Sequence, residues 1–182
     1  VEDVGAFSMA GQFLSMLGIA SWEGFLSAVA EVQQSAAHPA AGGPPAPMAV
    51  LVQREVTAVV GGVIFGLDPV TGDQSRVLVE AVPGGPEHLV SGTVTAQRFL
   101  LGRRGRIIEG PAASEGQELL DRRLRHQLTK LARQAQQSFG SPQDIEWAVD
   151  ADGALWMLQS RPVTATGAAA SASGPLLGPG PV

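Results

Sequence analysis

The sequence has no cysteine, and its only lysine is Lys130, against eleven arginines. The absence of cysteine excludes disulfides, thiolate metal sites and cysteine nucleophiles, and it fits a cytoplasmic protein. A single lysine sharply limits where lysine chemistry could take place. The first residues lack a secretory signal, and every apolar run is too short to span a membrane, so no membrane partner is expected. The net charge of −5 argues against a nucleic-acid partner, which would require a basic face.

The composition is that of a globular chain. Of its 182 residues, 45% are apolar and 16% are charged, which is enough for one domain with a core or for part of a larger one. The sequence begins at Val1 without a methionine, and we interpret it as a fragment or as one half of a split gene.

The first 50 residues predict one helix and one break. Residues 5–20 have the composition of a glycine loop that enters a short helix, and Ser21 is placed to cap a helix from Trp22 to about Ala36. Residues 37–47 are rich in proline and glycine, which predicts a flexible connection.

Beyond this connection the sequence predicts strands, then a helix, then two strands. Four β-rich runs are separated by turn residues: Met48–Gln53, Val59–Phe65, Arg76–Val82 and Thr93–Leu101. Asp68–Gly72 is a predicted turn, and Gly102–Gly105 is a predicted hairpin tip.

A long amphipathic helix follows these strands. Ser114 and Gln117 have the spacing of a capping box, and Gly140 is placed to end the helix. Its apolar residues recur at spacings of three and four: Leu120, Leu124, Leu128, Leu131 and Ala135.

The closing hairpin completes an α+β fold, in which an antiparallel sheet packs against the amphipathic helix. Its predicted strands are Asp144–Val149 and Leu155–Ser160. We expect residues 1–165 to form the folded domain, and residues 166–182, which are rich in alanine, glycine and proline, to form a disordered tail or linker.

The closing hairpin also carries the residues with most chemical content. Asp144 and Glu146 share one face of their strand, and Gln159 and Arg161 share one face of the next. If these faces coincide, two carboxylates suited to Mg²⁺ lie beside an amide and a guanidinium suited to phosphate. A solvated polar face with a surface salt bridge explains the same residues, so the pattern alone leaves both interpretations open.

The hairpin resembles a known family. Residues 142–148 (PQDIEWA) and 158–164 (LQSRPVT) resemble the end of the ATP-grasp domain of pyruvate phosphate dikinases, PEP synthases and rifampicin phosphotransferases. The resemblance implies that Asp144 and Glu146 lie near Mg²⁺, and that Gln159 and Arg161 face the phosphates of ATP as catalytic residues.

A second resemblance covers residues 48–56 (MAVLVQREV) and 61–72 (GGVIFGLDPVTG). It implies that Gln53, Glu55 and Val56 form the hinge beside adenine, with Glu55 standing where the family usually has methionine. An ordinary strand and turn explain the same segment, and for Asp68 this alternative carries equal weight.

Two further resemblances involve glycine loops. Residues 80–92 (EAVPGGPEHLVSG) resemble the GLGE…VSG loop of the family, which implies that Glu87 binds the nucleotide. Pro86 departs from that pattern, because it stiffens the loop and removes a backbone donor. Residues 7–12 (FSMAGQ) resemble a phosphate-side loop, which implies a binding role for Gly11.

The resemblance as a whole implies the ATP-binding part of a dikinase-type phosphotransferase. Such an enzyme uses Mg-ATP to phosphorylate a histidine on a swivelling domain, for onward transfer to pyruvate or another acceptor. The N-terminal lobe of the family supplies a lysine and an arginine that have no counterpart here. We therefore expect only the C-terminal part of the domain, with that lobe and the phosphohistidine domain as partners in cis or in trans. A non-catalytic nucleotide-binding or regulatory module and an inactive fragment are the alternatives.

Overall fold

The computed structural model describes residues 3–4, 7–8, 14–35, 49–90, 94–111 and 118–163. Several predictions fall outside these ranges: the loop with Gly11, the flexible connection at 37–47, the Ser114–Gln117 pair and the tail at 166–182. The loop, the connection and the tail stay predictions. None of the helices in the described ranges is long and apolar enough to cross a bilayer.

The chain divides into two compact units, residues 1–55 with 175–182 and residues 56–174. In the first unit, strands β1 (Asp3–Val4) and β2 (Phe7–Ser8) pair antiparallel, and helix α1 spans Trp22–Ser35. The Ser21 hydroxyl accepts a hydrogen bond from the Gly24 amide at 3.1 Å. This contact satisfies one free amide of the first helical turn, as the predicted cap requires.

The second unit contains a six-stranded antiparallel sheet in the order β6-β5-β4-β3-β7-β8. Its strands are β3 (Ala58–Phe65), β4 (Val77–Pro83), β5 (Gln97–Leu101), β6 (Ile107–Glu109), β7 (Gln143–Asp150) and β8 (Leu155–Pro162). Its helices are the short α2 (Glu87–Val90) and the long α3 (Arg122–Phe139). The predicted α+β class is confirmed, and so is the hairpin tip, a 3₁₀ turn over Arg103–Gly105 that joins β5 to β6.

The main core lies between α3 and one face of the sheet. Leu128, Ala132 and Ala135 of α3 are buried against strand residues. The strands contribute the buried side chains Ile64, Val77, Val79, Ala81, Phe99, Leu101, Ile145, Trp147 and Val149. Burial of this apolar surface is the dominant favourable contribution to the stability of the sheet and helix.

The ends of α3 agree with the prediction at one end only. Gly140 terminates the helix with a φ of 77°, the left-handed conformation expected of a C-terminal glycine. The predicted start near Ser114 is wrong, because α3 begins at Arg122 with Asp121 as its N-cap. Residues 118–120, just before the cap, are not helical, and the Leu119 amide donates to the Gln97 side chain at 2.9 Å.

The first predicted strand, Met48–Gln53, is also wrong for the residues that the structure describes. Residues 49–57 have no strand, and β3 begins only at Ala58. Leu51 and Val52 are 84% and 61% exposed, so their apolar side chains do not mark a core-facing strand. The β-rich composition of this segment was therefore misleading.

The predicted turn at Asp68 is confirmed. The Asp68 carboxylate accepts the Val70 amide at 2.9 Å and the Thr71 hydroxyl at 2.7 Å. Burial acts to raise the pKa of Asp68, but these bonds and the nearby Arg76 outweigh it and lower the pKa. The contacts of this carboxylate are those of a turn, in line with the structural alternative.

Candidate functional site

The β7–β8 register brings the predicted polar residues together. Asp144 pairs with Arg161, and Glu146 pairs with Gln159, across adjacent antiparallel strands. Ile145 alternates with the two carboxylates and points into the core. The four polar side chains therefore lie on the sheet face opposite α3, which we call the site face.

Asp144 and Arg161 form a largely buried ion pair. The Nε and Nη2 groups of Arg161 donate to Asp144 Oδ2 at 2.9 and 2.8 Å. The two side chains are only 13% and 19% exposed. Burial raises the pKa of the Asp144 carboxyl, and the hydrogen bond and charge of Arg161 oppose this shift without cancelling it.

The second oxygen of Asp144, Oδ1, is buried and has no hydrogen-bond partner among the described residues. A buried carboxylate oxygen without a partner is costly, which makes it a candidate ligand for a hard cation. Glu146 lies two residues further along the same face and is half-buried. The pair fits Mg²⁺, which commonly binds one or two carboxylates and takes its other oxygens from water and phosphate.

The described ranges contain no group of three or more histidine, cysteine, aspartate or glutamate side chains placed to hold a metal. Within the described ranges, a metal held by Asp144 and Glu146 would therefore take its remaining ligands from groups such as water or phosphate. Such a set suits a cation that arrives with its nucleotide.

The β7–β8 hairpin is fixed at both ends. At the open end, Gln143 is buried, and its side chain accepts from the Ser160 hydroxyl at 3.1 Å and donates to the Ser141 carbonyl at 2.9 Å. At the turn, Asp150 Oδ1 accepts the amides of Asp152 and Ala154 at 3.0 and 2.9 Å. These contacts hold the register on which the site depends.

The site face continues across the sheet to residues that the sequence analysis did not single out. Val63 of β3 lies opposite Glu146, Glu80 of β4 lies opposite Val63, and Arg98 of β5 lies opposite Glu80. Arg98 Nε is 3.1 Å from Glu80 Oε1. The sequence signal for Glu80 was a charge in the middle of an apolar strand, but its place on the same face as Glu146 depends on strand order and register.

The glycine loop after β4 folds over the site face. A Cβ added to Gly61 of β3 would lie 2.9 Å from the Gly84 carbonyl and 3.0 Å from Pro86 Cδ. The Gly84 amide also donates to the Val59 carbonyl at 3.0 Å. Only glycine at position 61 permits this approach.

Glu87 begins α2 directly after the glycine loop. Its side chain is about half exposed and lies over Gly85, with an oxygen 3.9 Å from His88 Nε2. Glu87 is therefore accessible on the loop, and its nucleotide-binding role stays a prediction.

The predicted hinge residues fall in different units. Gln53 and Glu55 belong to the first unit and are exposed, and Glu55 Oε2 accepts the Gly18 amide at 2.7 Å. Val56 belongs to the second unit, is half-buried and precedes β3 by two residues. Their contact with adenine stays a prediction.

The second unit is thus an α+β domain with a carboxylate pair, an amide and two arginines on one sheet face beside a glycine loop. Residues 1–175 match the family described as the pyruvate phosphate dikinase, AMP/ATP-binding domain. The chain belongs to this family, as its motifs indicated.

Three relatives show the breadth of the family. The chain is 34% identical to the prodigiosin synthesizing transferase PigC of Serratia marcescens over 140 residues, and 37% identical to a Streptomyces rifampicin phosphotransferase over 139 residues. It is 34% identical over 144 residues to a probable phosphoenolpyruvate synthase of Methanothermobacter thermautotrophicus. These matches cover 64%, 64% and 67% of the chain but 16%, 16% and 21% of the relatives, so the chain spans about a fifth of their length or less.

Proposed function

We propose that this chain is the ATP-binding part of a dikinase-type phosphotransferase, as the C-terminal subdomain of an ATP-grasp domain. The enzyme would use Mg-ATP to phosphorylate a histidine on a swivelling domain, which passes the phosphate to pyruvate or another acceptor. The observation that carries the proposal is the buried, unpartnered Asp144 Oδ1 beside Arg161, on the face that also holds Glu146 and Gln159.

The residues of the hairpin divide into two roles. Asp144 Oδ1 and the Glu146 carboxylate would hold Mg²⁺, which when bound neutralises charge on the phosphates. Arg161 uses Nε and Nη2 to hold Asp144. Its Nη1 group has no partner among the described residues and is available to a phosphate oxygen, and exposed Gln159 would add an amide donor.

The remaining parts of the nucleotide site are proposed from the resemblance of their motifs to the family. Gln53, Glu55 and Val56 would line adenine, while Gly11 and Glu87 would lie beside the phosphates or ribose. An N-terminal ATP-grasp lobe and a phosphohistidine domain would be the partners, in cis or in trans. Catalysis in such a complex consists mainly of positioning and charge neutralisation.

The first test is Mg²⁺-dependent ATP binding by isothermal titration calorimetry. Saturable binding that is weakened at least tenfold in Glu146→Ala and Arg161→Ala supports the site. Glu118→Ala is the matched control, because it removes a carboxylate that pairs with Arg125 of α3, away from the site face. Unchanged affinity in both site variants would contradict the assignment of these residues.

A second candidate is a nucleotide-binding module that does not transfer phosphate. It is favoured by Pro86, which packs against Gly61 and cannot donate a backbone hydrogen bond to a phosphate. The two candidates separate when the chain is combined with an N-terminal lobe and a phosphohistidine domain from a relative. Radiolabel transfer to histidine selects the phosphotransferase, and ATP binding without transfer selects the module.

A further inference from the structure

Glu80 and Arg98 form a second acid–arginine pair on the site face. Glu80 lies in the row that runs Gln159, Glu146, Val63, Glu80 and Arg98 across five strands. Its side chain is 21% exposed, whereas that of Arg98 is 62% exposed. The pair therefore has a half-buried acid and a solvent-facing base.

Stability does not account for this arrangement. Glu80 is the one charged residue of β4, and its two chain neighbours, Val79 and Ala81, are fully buried in the main core. Glutamate is disfavoured in strands, and a partly exposed ion pair contributes about 0–1 kcal/mol. An apolar side chain beside Val63 would stabilise the sheet better, so a charge here points to a ligand.

The geometry of the carboxylate fits a hydrogen-bond donor. Glu80 Oε1 is engaged by Arg98 Nε, and Oε2 has no partner among the described residues. An ionised carboxylate only accepts hydrogen bonds, so a ligand that hydrogen-bonds to Oε2 has to present a donor such as a hydroxyl. A negatively charged phosphate oxygen would be repelled by this carboxylate, so it is not the group that we expect in contact with Oε2.

The position of Glu80 relative to the metal-binding carboxylates selects one hydroxyl-bearing group. Glu80 is two strands from Glu146, or about 10 Å between backbones. Gly61, against which the glycine loop folds, is two residues along β3 from Val63, or about 7 Å. Glu80 thus lies about 10 Å from Glu146 and about 8 Å from Gly61, on the same face as the carboxylate pair and beside the strand that the glycine loop covers. If the phosphates of a nucleotide lie at the carboxylate pair, its ribose would fall on this part of the face.

We propose that Glu80 accepts hydrogen bonds from the ribose hydroxyls of the nucleotide, and that Arg98 is a positioning residue that holds the carboxylate for this contact. The proposal rests on the proposed ATP site and adds sugar specificity to it. The site selects ribonucleotides over deoxyribonucleotides, because removing a hydroxyl leaves the half-buried carboxylate with an unused acceptor.

The experiment compares ATP, 2′-deoxy-ATP and 3′-deoxy-ATP by calorimetry in saturating Mg²⁺. We expect the wild-type chain to bind ATP about tenfold more tightly than at least one deoxy analogue. In Glu80→Met, which keeps the side-chain length but removes the acceptor, ATP should bind as weakly as that analogue, and the affinity for the analogue should not change. Arg98→Met should reduce the ratio of the affinity for ATP to the affinity for the deoxy analogue. Arg98→Lys should restore this ratio, and Glu118→Met should leave it unchanged.

The ratio is measured within each variant, so a general loss of fold affects both ligands equally. Equal wild-type affinity for ATP and both analogues would overturn the ribose contact, and would leave the ATP site intact if binding still depends on Glu146. A Glu80→Met variant that weakens ATP and the analogues by the same factor would assign Glu80 a structural role and overturn the proposal. If Glu80→Met does not fold, the wild-type ratio and the Arg98 variants decide. An absence of saturable ATP binding would overturn the ATP site and the ribose contact together.

Discussion

Replacing Arg161 by methionine tests the ion pair at the centre of the proposed site. The substitution keeps most of the aliphatic stem but removes the guanidinium that donates twice to Asp144. Asp144 then remains a carboxylate whose side chain is 13% exposed, with neither oxygen paired among the described residues.

The expected cost follows from this burial. Removing one partner of a fully buried pair costs about 3–5 kcal/mol, and the residual exposure of both side chains reduces this to about 2–3 kcal/mol at neutral pH. Asp144→Asn should cost less, about 1 kcal/mol, because burial already disfavours the charged carboxylate and Arg161 keeps some access to water. The double variant Asp144→Asn/Arg161→Met should recover part of the loss, because no charge is left in the site.

Urea denaturation at pH 7.5, followed by tryptophan fluorescence, measures these differences. For a chain of this size, 2–3 kcal/mol corresponds to a drop of about 5–10 °C in Tm, which calorimetry can check. The control is Arg106→Met, since Arg106 is exposed and has no side-chain partner in the described ranges. A cost for Arg161→Met below about 0.5 kcal/mol, or one smaller than that of Asp144→Asn, would refute the buried-pair reasoning.

Three further substitutions test the structure around the site. Gly105 has a φ of 74°, and a Cβ there would lie 2.6 Å from the Arg125 carbonyl carbon, so Gly105→Ala should cost about 2–4 kcal/mol in urea unfolding. Gly153 has a φ of 77° with open space around it, so Gly153→Ala should cost only about 1 kcal/mol, and equal costs would contradict this packing. The pKa of Asp68 is lowered in the folded state. The carboxylate therefore contributes fully to the free energy of unfolding above the pKa that it has in the unfolded chain, and this contribution is lost as the pH falls through its pKa in the folded state. The stability difference between wild type and Asp68→Asn should therefore shrink below about pH 4, and a difference that grows on acidification would have the wrong sign.

The sequence predicted features that depend on local residue patterns. The β7–β8 hairpin, the apolar stripe of α3 and its end at Gly140 follow from alternation, helical spacing and the left-handed conformation that glycine permits. From the sequence, Asp144 and Arg161 were expected to lie together if the polar faces of their two strands coincide. The observed register, in which Asp144 pairs with Arg161, meets this condition. Its chemical role remains a prediction that only binding experiments can test.

The features that the sequence did not predict depend on contacts between distant segments. Pairing β3 with both β4 and β7 puts Glu80 on the same face as Glu146, although the two are far apart in the chain. The start of α3 was misplaced because the contact between the Leu119 amide and the Gln97 side chain joins segments 22 residues apart. Local propensity carries no information on either pairing.

Strand β7 explains why the core and the proposed site are linked. Its residues alternate between the core, with Ile145 and Trp147, and the site face, with Asp144 and Glu146. A register slip of one residue would bury both carboxylates and expose both apolar side chains, so the free energy of core burial also fixes the site geometry. Because the site residues lie on paired strands and not on a loop, Asp144 and Arg161 are already in contact before any nucleotide binds. A nucleotide that binds at the proposed site would therefore not have to order these two side chains, which lowers the entropic cost of binding.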